Sequence, residues 1–427
     1  MTRPLRHEGM NLFLVIILAI LIGDYLLNLI VDTRNIRHLK TDLPEEFSGY
    51  YDSEKYKKSQ EYLKENTRFG FISDSITTPL TIAFILLGGF NIVDQFARSF
   101  HLGNIPTGLI FAGGLMFISQ IFSIPFSIYS TFVIEEKYGF NKTTPGTFVL
   151  DILKAWLLVI LIGGTLFAGV LWFFEKAGPL AWVYCWIAVS FFQIVLMFVA
   201  PVVIMPIFNK FVPLDDGELK AAIEAYAKKQ GFKMKGVFTM DGSRRSTKSN
   251  AFFTGFGSFR RIVLFDTLIE KHTTDELVSV LAHETGHYKK RHILKSIVIS
   301  ILTSGLMFYI LSLFINNGEL FAAFRMDHVS IYASLFFFGF LYTPIDMILS
   351  VFGNMLSRRH EYEADDFAIT TYRKPESMIS ALKKLSVDNL SNLTPHPLKV
   401  FLSYSHPPVL DRIAAIRSLP SGTDDTP

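Results

Sequence analysis

Seven long apolar stretches constrain this chain more than anything else in it. A bilayer core takes about 20 apolar helical residues to cross. Runs of that kind occur at about 10–31, 76–97, 105–134, 147–174, 180–208, 294–316 and 329–353. The third and fifth are long enough to tilt or to project beyond the bilayer. Composition agrees with a membrane protein. Half of the 427 residues are hydrophobic, 41 are Phe, and 19% are charged, against roughly 25% in ordinary soluble domains. Arg3 and Arg6 give the first run the look of a signal peptide. It is too long for one, and "VDTRNIRH" follows it where a small-residue cleavage site would stand, so it reads as a retained span.

Loop charge sets an orientation. With alternating sides, one side receives 32–75, 135–146, 209–293 and everything from 354. The first of these loops alone carries Arg34, Arg37, Lys40, Lys55, Lys57, Lys58, Lys64 and Arg68. The other side receives Arg3, Arg6, Arg98, Lys176 and Arg325. The rule therefore puts the N-terminus outside and the basic side in the cytoplasm. A net charge of +3 gives no reason to invoke nucleic acid as a partner. The single cysteine, Cys185, lies in an apolar run, so there is no disulfide framework, and any metal must rest on His and carboxylates.

Five segments follow. Residues 1–208 hold five spans with their loops. Residues 209–293 form a polar module, 294–353 carry spans six and seven, 354–419 are helical, and the tail 420–427 reads as disordered. In the module, "DDGELKAAIEAYAKKQGF" has helical spacing, while "KGVFTM" and "RIVLF" are β-branched and aromatic, like strands. A two- or three-stranded hairpin is expected, with Gly255 and Gly257 as turn residues. Thr273 followed by Glu276 fits a capping box that starts the next helix.

That helix contains "HETGH" and runs without a proline into the sixth span. Positions i and i+4 share a helix face, so His283 and His287 can offer two imidazoles to one Zn²⁺. Glu284 lies about 100° around the helix, within reach of a proton on a zinc-activated water. The small Thr285 and Gly286 let another element approach closely. A catalytic zinc takes a third protein ligand, and "HEYEADDF" (360–367) is its obvious source. Glu361 and Asp365 share a face there, but spacing alone does not choose between Glu361, Glu363 and His360. On spacing alone His406 is a turn residue ahead of two prolines.

These motifs together, "HETGH", "SRRHEYEADDFA" and "YSHPPVLDRIAAI", resemble the gluzincin peptidases of the CAAX prenyl protease type. "EEKYGFNKTTP" (135–145) and "STKSNAFFTGFGSFRRIVLFDTLI" (246–269) extend the resemblance, which runs from roughly residue 50 to 416. It implies an all-α membrane protein. Seven helices enclose a chamber, and a small α+β zinc metalloprotease module closes the cytoplasmic end. It implies one Zn²⁺ held by His283, His287 and Glu361, with Glu284 as general base and His406 stabilising the oxyanion. Asp365 and Arg412 would support the ligands. Asn250 and the strand Ala251, Phe252, Phe253 would hold the substrate as an added β-strand. The implied partners are membrane lipids and a peptide or protein substrate, carrying a lipid on its C-terminus in the eukaryotic form.

Two alternatives stand beside this reading. One is a quality-control metalloprotease for membrane proteins, without a prenyl requirement. The other is a non-enzymatic transporter or receptor, which the clustering of His and carboxylates disfavours. The ending "GTDDTP" matches no endoplasmic-reticulum retention signal, and the chain is compact. A prokaryotic plasma membrane is therefore the expected location, with the endoplasmic-reticulum membrane as the alternative. Asp151 and Lys154 in the fourth span and Asp346 in the seventh are expected to face an interior or to sit near helix ends.

Overall fold

The architecture comes from a computed structural model that describes residues 11–254 and 261–419. Arg3, Arg6, Gly255, Gly257 and the 420–427 tail lie outside the described residues. Among the described residues, seven helices are long and apolar enough to cross a membrane: Leu12–Arg37, Ser53–Leu86, Asn104–Tyr138, Pro145–Lys176, Gly178–Phe208, His292–Phe314 and Ile331–Tyr372.

Two spans differ from their sequence reading. The apolar run at 76–97 crosses a break. Gly88 takes φ +73°, a left-handed conformation that glycine adopts without penalty. The second span therefore ends at Leu86, and Gly89–Arg98 is a separate helix. The same span starts far earlier than its apolar part, because Asp52 caps it by accepting from the Lys55 amide at 2.6 Å. The seventh span does not stop at 353. It continues through "RRHEYEADDFAITTY" as one helix of 42 residues, about 63 Å at 1.5 Å per residue. That is roughly twice the bilayer core, so one element carries membrane contact at one end and site residues near the other.

The spans bury little of themselves. Between 6% and 17% of each apolar window is enclosed by protein, and Pro145–Leu158 buries no residue at all. Helices packed around a solid centre would each bury one stripe. These instead leave most of each apolar window free of protein contact, as a wall facing lipid on one side and a chamber on the other does. They are closed at one end by an aromatic core in which the Phe324 and Phe337 rings stack at 3.8 Å and Phe90 packs edge-on against both.

The module holds the expected hairpin within a larger sheet. Its four strands are β1 (Phe211–Pro213), β2 (Gly236–Met240), β3 (Ala251–Thr254) and β4 (Arg261–Phe265), in the order β1-β2-β4-β3. β2 and β4 run parallel, with Val237 opposite Ile262 and Thr239 opposite Leu264. β3 lies antiparallel on the outer side of β4. The consecutive antiparallel β3 and β4 are the hairpin; β2 is not part of it, since it pairs parallel to β4 and carries β1 on its other edge. Ala251–Thr254 is an edge strand of the sheet, half-buried along its length. Val237, Ile262, Leu264, Leu277, Val278 and Leu281 form one core, joining the sheet to the helix that carries HETGH.

The loops that alternation puts on one side meet each other. Lys142 N donates to Arg245 O at 3.0 Å and Thr247 N to Phe140 O at 3.1 Å. Tyr50 Oη donates to Ser380 at 3.0 Å, and Lys248 pairs with Glu135 at 2.9 Å. The two charges of the fourth span are part of this docking. Asp151 accepts two hydrogen bonds from Arg245, at 2.8 and 3.0 Å, and Lys154 donates to Ile207 O at 2.8 Å. Asp346 instead lines a cavity of about 450 Å³ between the sixth and seventh spans, together with Ser300, Thr303, Ser350 and His360.

Candidate metal centre

The HETGH helix, Thr274–Lys289, begins with the expected capping box. Thr273 Oγ1 accepts from the Glu276 amide, and Glu276 Oε2 accepts from the Thr273 amide at 2.8 Å. Glu276 is 4% exposed and also receives Ser380 Oγ at 2.5 Å and Lys384 Nζ at 2.8 Å. Burial alone would raise its carboxyl, but Lys384, Ser380 and the Thr273 amide hold it below the ordinary range. The start of the helix is thus tied to Pro375–Asp388, and its register over the sheet follows.

Along this helix runs the upper part of the seventh-span helix. The two approach so closely that a Cβ on Gly286 would lie 3.0 Å from Ala364 Cα and 3.1 Å from Ala364 O. That approach brings Glu361 to the two histidines. His283 Nε2 and His287 Nε2 are 3.2 Å apart. Glu361 Oε2 lies 3.4 Å from the first and Glu361 Oε1 3.3 Å from the second. Of the three alternatives at 360–363, Glu361 is the one in the cluster. His360 and Glu363 turn to the other side of His287.

The surrounding groups decide what this triangle can hold. His283 Nδ1 is 2.8 Å from Asp365 Oδ1. Asp365 has no proton to give, because Arg412 Nε and Nη2 donate to it at 2.8 and 2.6 Å. So His283 carries its proton on Nδ1 and points the Nε2 lone pair inward. His287 Nδ1 is likewise occupied, 3.0 Å from His292 Nδ1. Glu361 Oε2 is buried without a hydrogen-bond partner, though Arg412 Nη1 lies 3.2 Å away as an ion pair. Two lone pairs and a carboxylate facing one another call for a cation. A tetrahedral ion with ligands at about 2.0–2.1 Å spaces its ligand atoms by roughly 3.3 Å; the two Nε2 atoms have that spacing, and each has a Glu361 oxygen, a different one for each, at the same distance. The residues present fit a metal ion with His₂Glu donors.

Electrostatics follow from the same contacts. Burial pushes the His283 imidazole down, but its bonds to Asp365 and Glu361 outweigh this and raise it to about 9 when no ion competes. Burial raises the carboxyl of the half-buried Glu284 above the ordinary glutamate range. His406 Nε2 stands 3.3 Å from Glu361 Oε1 although its side chain is 64% exposed, and Ser405 Oγ is 3.0 Å from His406 Nδ1. The turn before two prolines thus puts His406 at the rim of the site. Asn250 Oδ1 accepts from the Ala251 amide at 2.8 Å, and its carbonyl accepts from Phe265 N at 3.1 Å. Among the described residues no strand pairs with the outer edge of β3. His292 was absent from the sequence reading, for no spacing rule places a residue five positions on beside His287.

Comparison with known proteins agrees with this architecture. Residues 32–210 match the family model described as CAAX prenyl protease N-terminal, five membrane helices, and residues 213–419 match that of peptidase family M48. The CAAX prenyl protease 1 homolog of Arabidopsis thaliana is 35% identical over 96% of this chain and 99% of that protein. The chain belongs to the CAAX prenyl protease 1 family. It is a membrane metalloprotease with an M48 peptidase domain. CAAX prenyl protease 1 of Saccharomyces cerevisiae is 34% identical over 88% of this chain and 89% of its own. The crystal structure of S. mikatae Ste24p superposes with a TM-score of 0.90 at 33% identity, covering 96% of this chain and all of that one. The transporter or receptor alternative is thereby set aside. So is the preference for a prokaryotic membrane, since these relatives are eukaryotic. Compactness and the absence of a retention ending carry no compartment information that outweighs similarity along the whole chain.

Proposed function

We propose that the chain is a zinc endopeptidase cutting near the C-terminus of membrane-bound proteins, with its site on the cytoplasmic side. The observation that carries this is the His283–His287–Glu361 triangle, built where one membrane-spanning helix begins and on the continuation of another. His283, His287 and Glu361 would hold the ion, and two imidazoles with one carboxylate favour zinc. Bound there, zinc supplies the Lewis acidity that brings a water's pKa near 7.

The remaining steps belong to this chain's side chains. Glu284 takes the proton from the attacking water and returns it to the departing amide nitrogen. His406, donating from Nε2, meets the negative charge that develops on the carbonyl oxygen. Asp365 and Arg412 keep His283 in the required tautomer. β3 and Asn250 present an open edge on which an extended peptide adds as a further strand. The names of the relatives point to prenylated CAAX proteins, whose lipid would stay in or beside the bilayer while the peptide end reaches the site. Basic loops on the side of the module support a cytoplasmic face. With the prokaryotic preference withdrawn, the endoplasmic-reticulum membrane is the remaining reading.

The test is hydrolysis of a farnesylated CAAX peptide beside its unprenylated twin and unfolded casein, using purified wild type and Glu284→Ala with zinc measured on both. Zinc in both, and cleavage of the farnesylated peptide by wild type only, is the expected result. Casein cleavage without prenyl preference would move the assignment to quality control. No zinc and no cleavage by wild type would sink it.

A further inference from the structure

The two histidines of the triangle are backed differently. Behind His283 stands a carboxylate, Asp365, in direct contact. Behind His287 stands a third imidazole. His287 Nδ1 lies 3.0 Å from His292 Nδ1, and His292 Nε2 lies 3.1 Å from Glu363 Oε2. Arg359 Nε donates to the other Glu363 oxygen at 2.9 Å. His292 is 3% exposed. Its ring stacks on His360 at 3.9 Å and 9°, which fixes the plane in which its nitrogens point.

The proton positions in this row follow from one end. A carboxylate held by Arg359 can only accept, so His292 carries its proton on Nε2 and gives it to Glu363. His292 Nδ1 is then an acceptor and can take only a proton from His287 Nδ1. That leaves the His287 Nε2 lone pair free and directed at Glu361 and His283. The row has one consistent arrangement of protons as long as His292 is neutral, and in it His287 is committed to the tautomer a metal ligand needs.

The chain makes a special turn to place His292. Arg291 takes φ +58°, a left-handed conformation uncommon outside glycine. It separates the HETGH helix from the sixth span, which begins at His292. On an uninterrupted helix a residue five positions on would lie about 140° around from His287. The break at Arg291 brings it back onto that ring.

We infer that His292 and Glu363 are positioning residues that orient His287 and strengthen its hold on the metal through a His287–His292–Glu363 hydrogen-bond row. This rests on the reading of His287 as a ligand. Partners behind a ligating imidazole typically change metal affinity by about 10- to 100-fold. The row acts in series, so losing either member removes the same effect.

The experiment compares His292→Phe, Glu363→Ala, the double variant and His287→Ala in the full-length protein in detergent. Zn²⁺ affinity is read by competition with a fluorescent chelator, the Co²⁺-substituted absorption spectrum reports the ligand field, and apoprotein Tm reports packing. Phe at 292 keeps a ring against His360. Should that variant fail to fold, Glu363→Ala decides alone, with Glu363→Gln, which keeps an acceptor, expected to restore most of the affinity. The expected result is a 10- to 100-fold weaker Zn²⁺ affinity in each single variant, no further loss in the double, a shifted Co²⁺ spectrum and an unchanged apoprotein Tm. Wild-type affinity and spectrum in Glu363→Ala, with metal lost from His287→Ala, would overturn the row and leave the metal site standing. Wild-type affinity in His287→Ala would overturn the ligand reading itself. A fall in apoprotein Tm with unchanged affinity would mark His292 and Glu363 as packing residues and refute the inference.

Discussion

Replacing Gly286 by alanine puts one methyl group between the two helices that carry opposite halves of the metal site. The new Cβ would sit 3.0 Å from Ala364 Cα, 3.1 Å from Ala364 O and 3.1 Å from Phe367 Cβ. Two of these atoms are backbone, so no flexible side-chain end can swing aside. Ordinary contact begins at 3.4 Å, so the helices must part by roughly 0.5 Å. Overpacking of this kind costs about 1–3 kcal/mol. The better helix propensity of alanine returns about 1 kcal/mol, so the net loss of stability is modest, roughly 0–2 kcal/mol. Function is more sensitive. His283 and His287 move with one helix and Glu361 with the other, and a misplacement approaching 1 Å costs on the order of 100-fold in rate. Activity should therefore fall about 10- to 100-fold while Tm changes by a few degrees. The control is Gly353→Ala, on the long helix that carries Glu361, where a Cβ meets nothing within 4 Å. It should keep full activity. Peptide hydrolysis, bound zinc and thermal unfolding in one detergent would be measured on both variants. Wild-type activity and zinc affinity in Gly286→Ala would refute the claim that this contact sets the ligand geometry.

Other substitutions separate the roles within the site. Glu284→Gln should keep its zinc and lose about 100- to 10,000-fold in kcat; loss of zinc instead would make Glu284 a ligand. His406→Ala should also retain zinc and lower kcat about 100- to 1,000-fold with little change in KM, and a rise in KM at constant kcat would reassign it to binding. Glu276→Gln tests the joint between the HETGH helix and Pro375–Asp388. The Glu276 carboxyl is depressed in the folded protein, so its contribution is full above the unfolded value of about 4.3 and is lost as pH falls through the lower folded value. The variant should be about 0.5–2 kcal/mol less stable at pH 7, and the difference should shrink towards acid pH. A gap that widens on acidification would contradict this.

How much of this was legible depended on whether the signal was local. The capping box at Thr273 and Glu276, the i,i+4 pair of histidines and the apolar lengths of the spans are short-range patterns, and the structure has each of them. The second span was misplaced because hydropathy is blind to backbone conformation. Leu87, Gly88 and Gly89 look as apolar as their neighbours, yet Gly88 ends the helix at φ +73°. The parallel pairing of β2 with β4 is invisible for a related reason, since strand order is a long-range property that no single segment encodes. Glu361 was favoured by resemblance but not separable by spacing from His360 and Glu363. What distinguishes the three is the approach of two helices at Gly286 and Ala364, which no single-segment pattern encodes.

The same reasoning explains why the metal site and the membrane are inseparable in this chain. Glu361 and Asp365 ride on a helix of about 63 Å whose first half is a membrane span. His287 is linked directly to His292, the first residue of another. The HETGH helix is fixed from its other end by the Glu276 joint and the sheet. A tilt of the sixth span relative to the seventh bears on the His287–Glu361 distance, because only Lys290 and Arg291 separate the HETGH helix from the sixth span. A hydrolytic centre continuous with its spans is thus one whose geometry responds to the packing of the wall around it. That is what a protease needs if its substrate reaches the site from the bilayer while the cut is made in water.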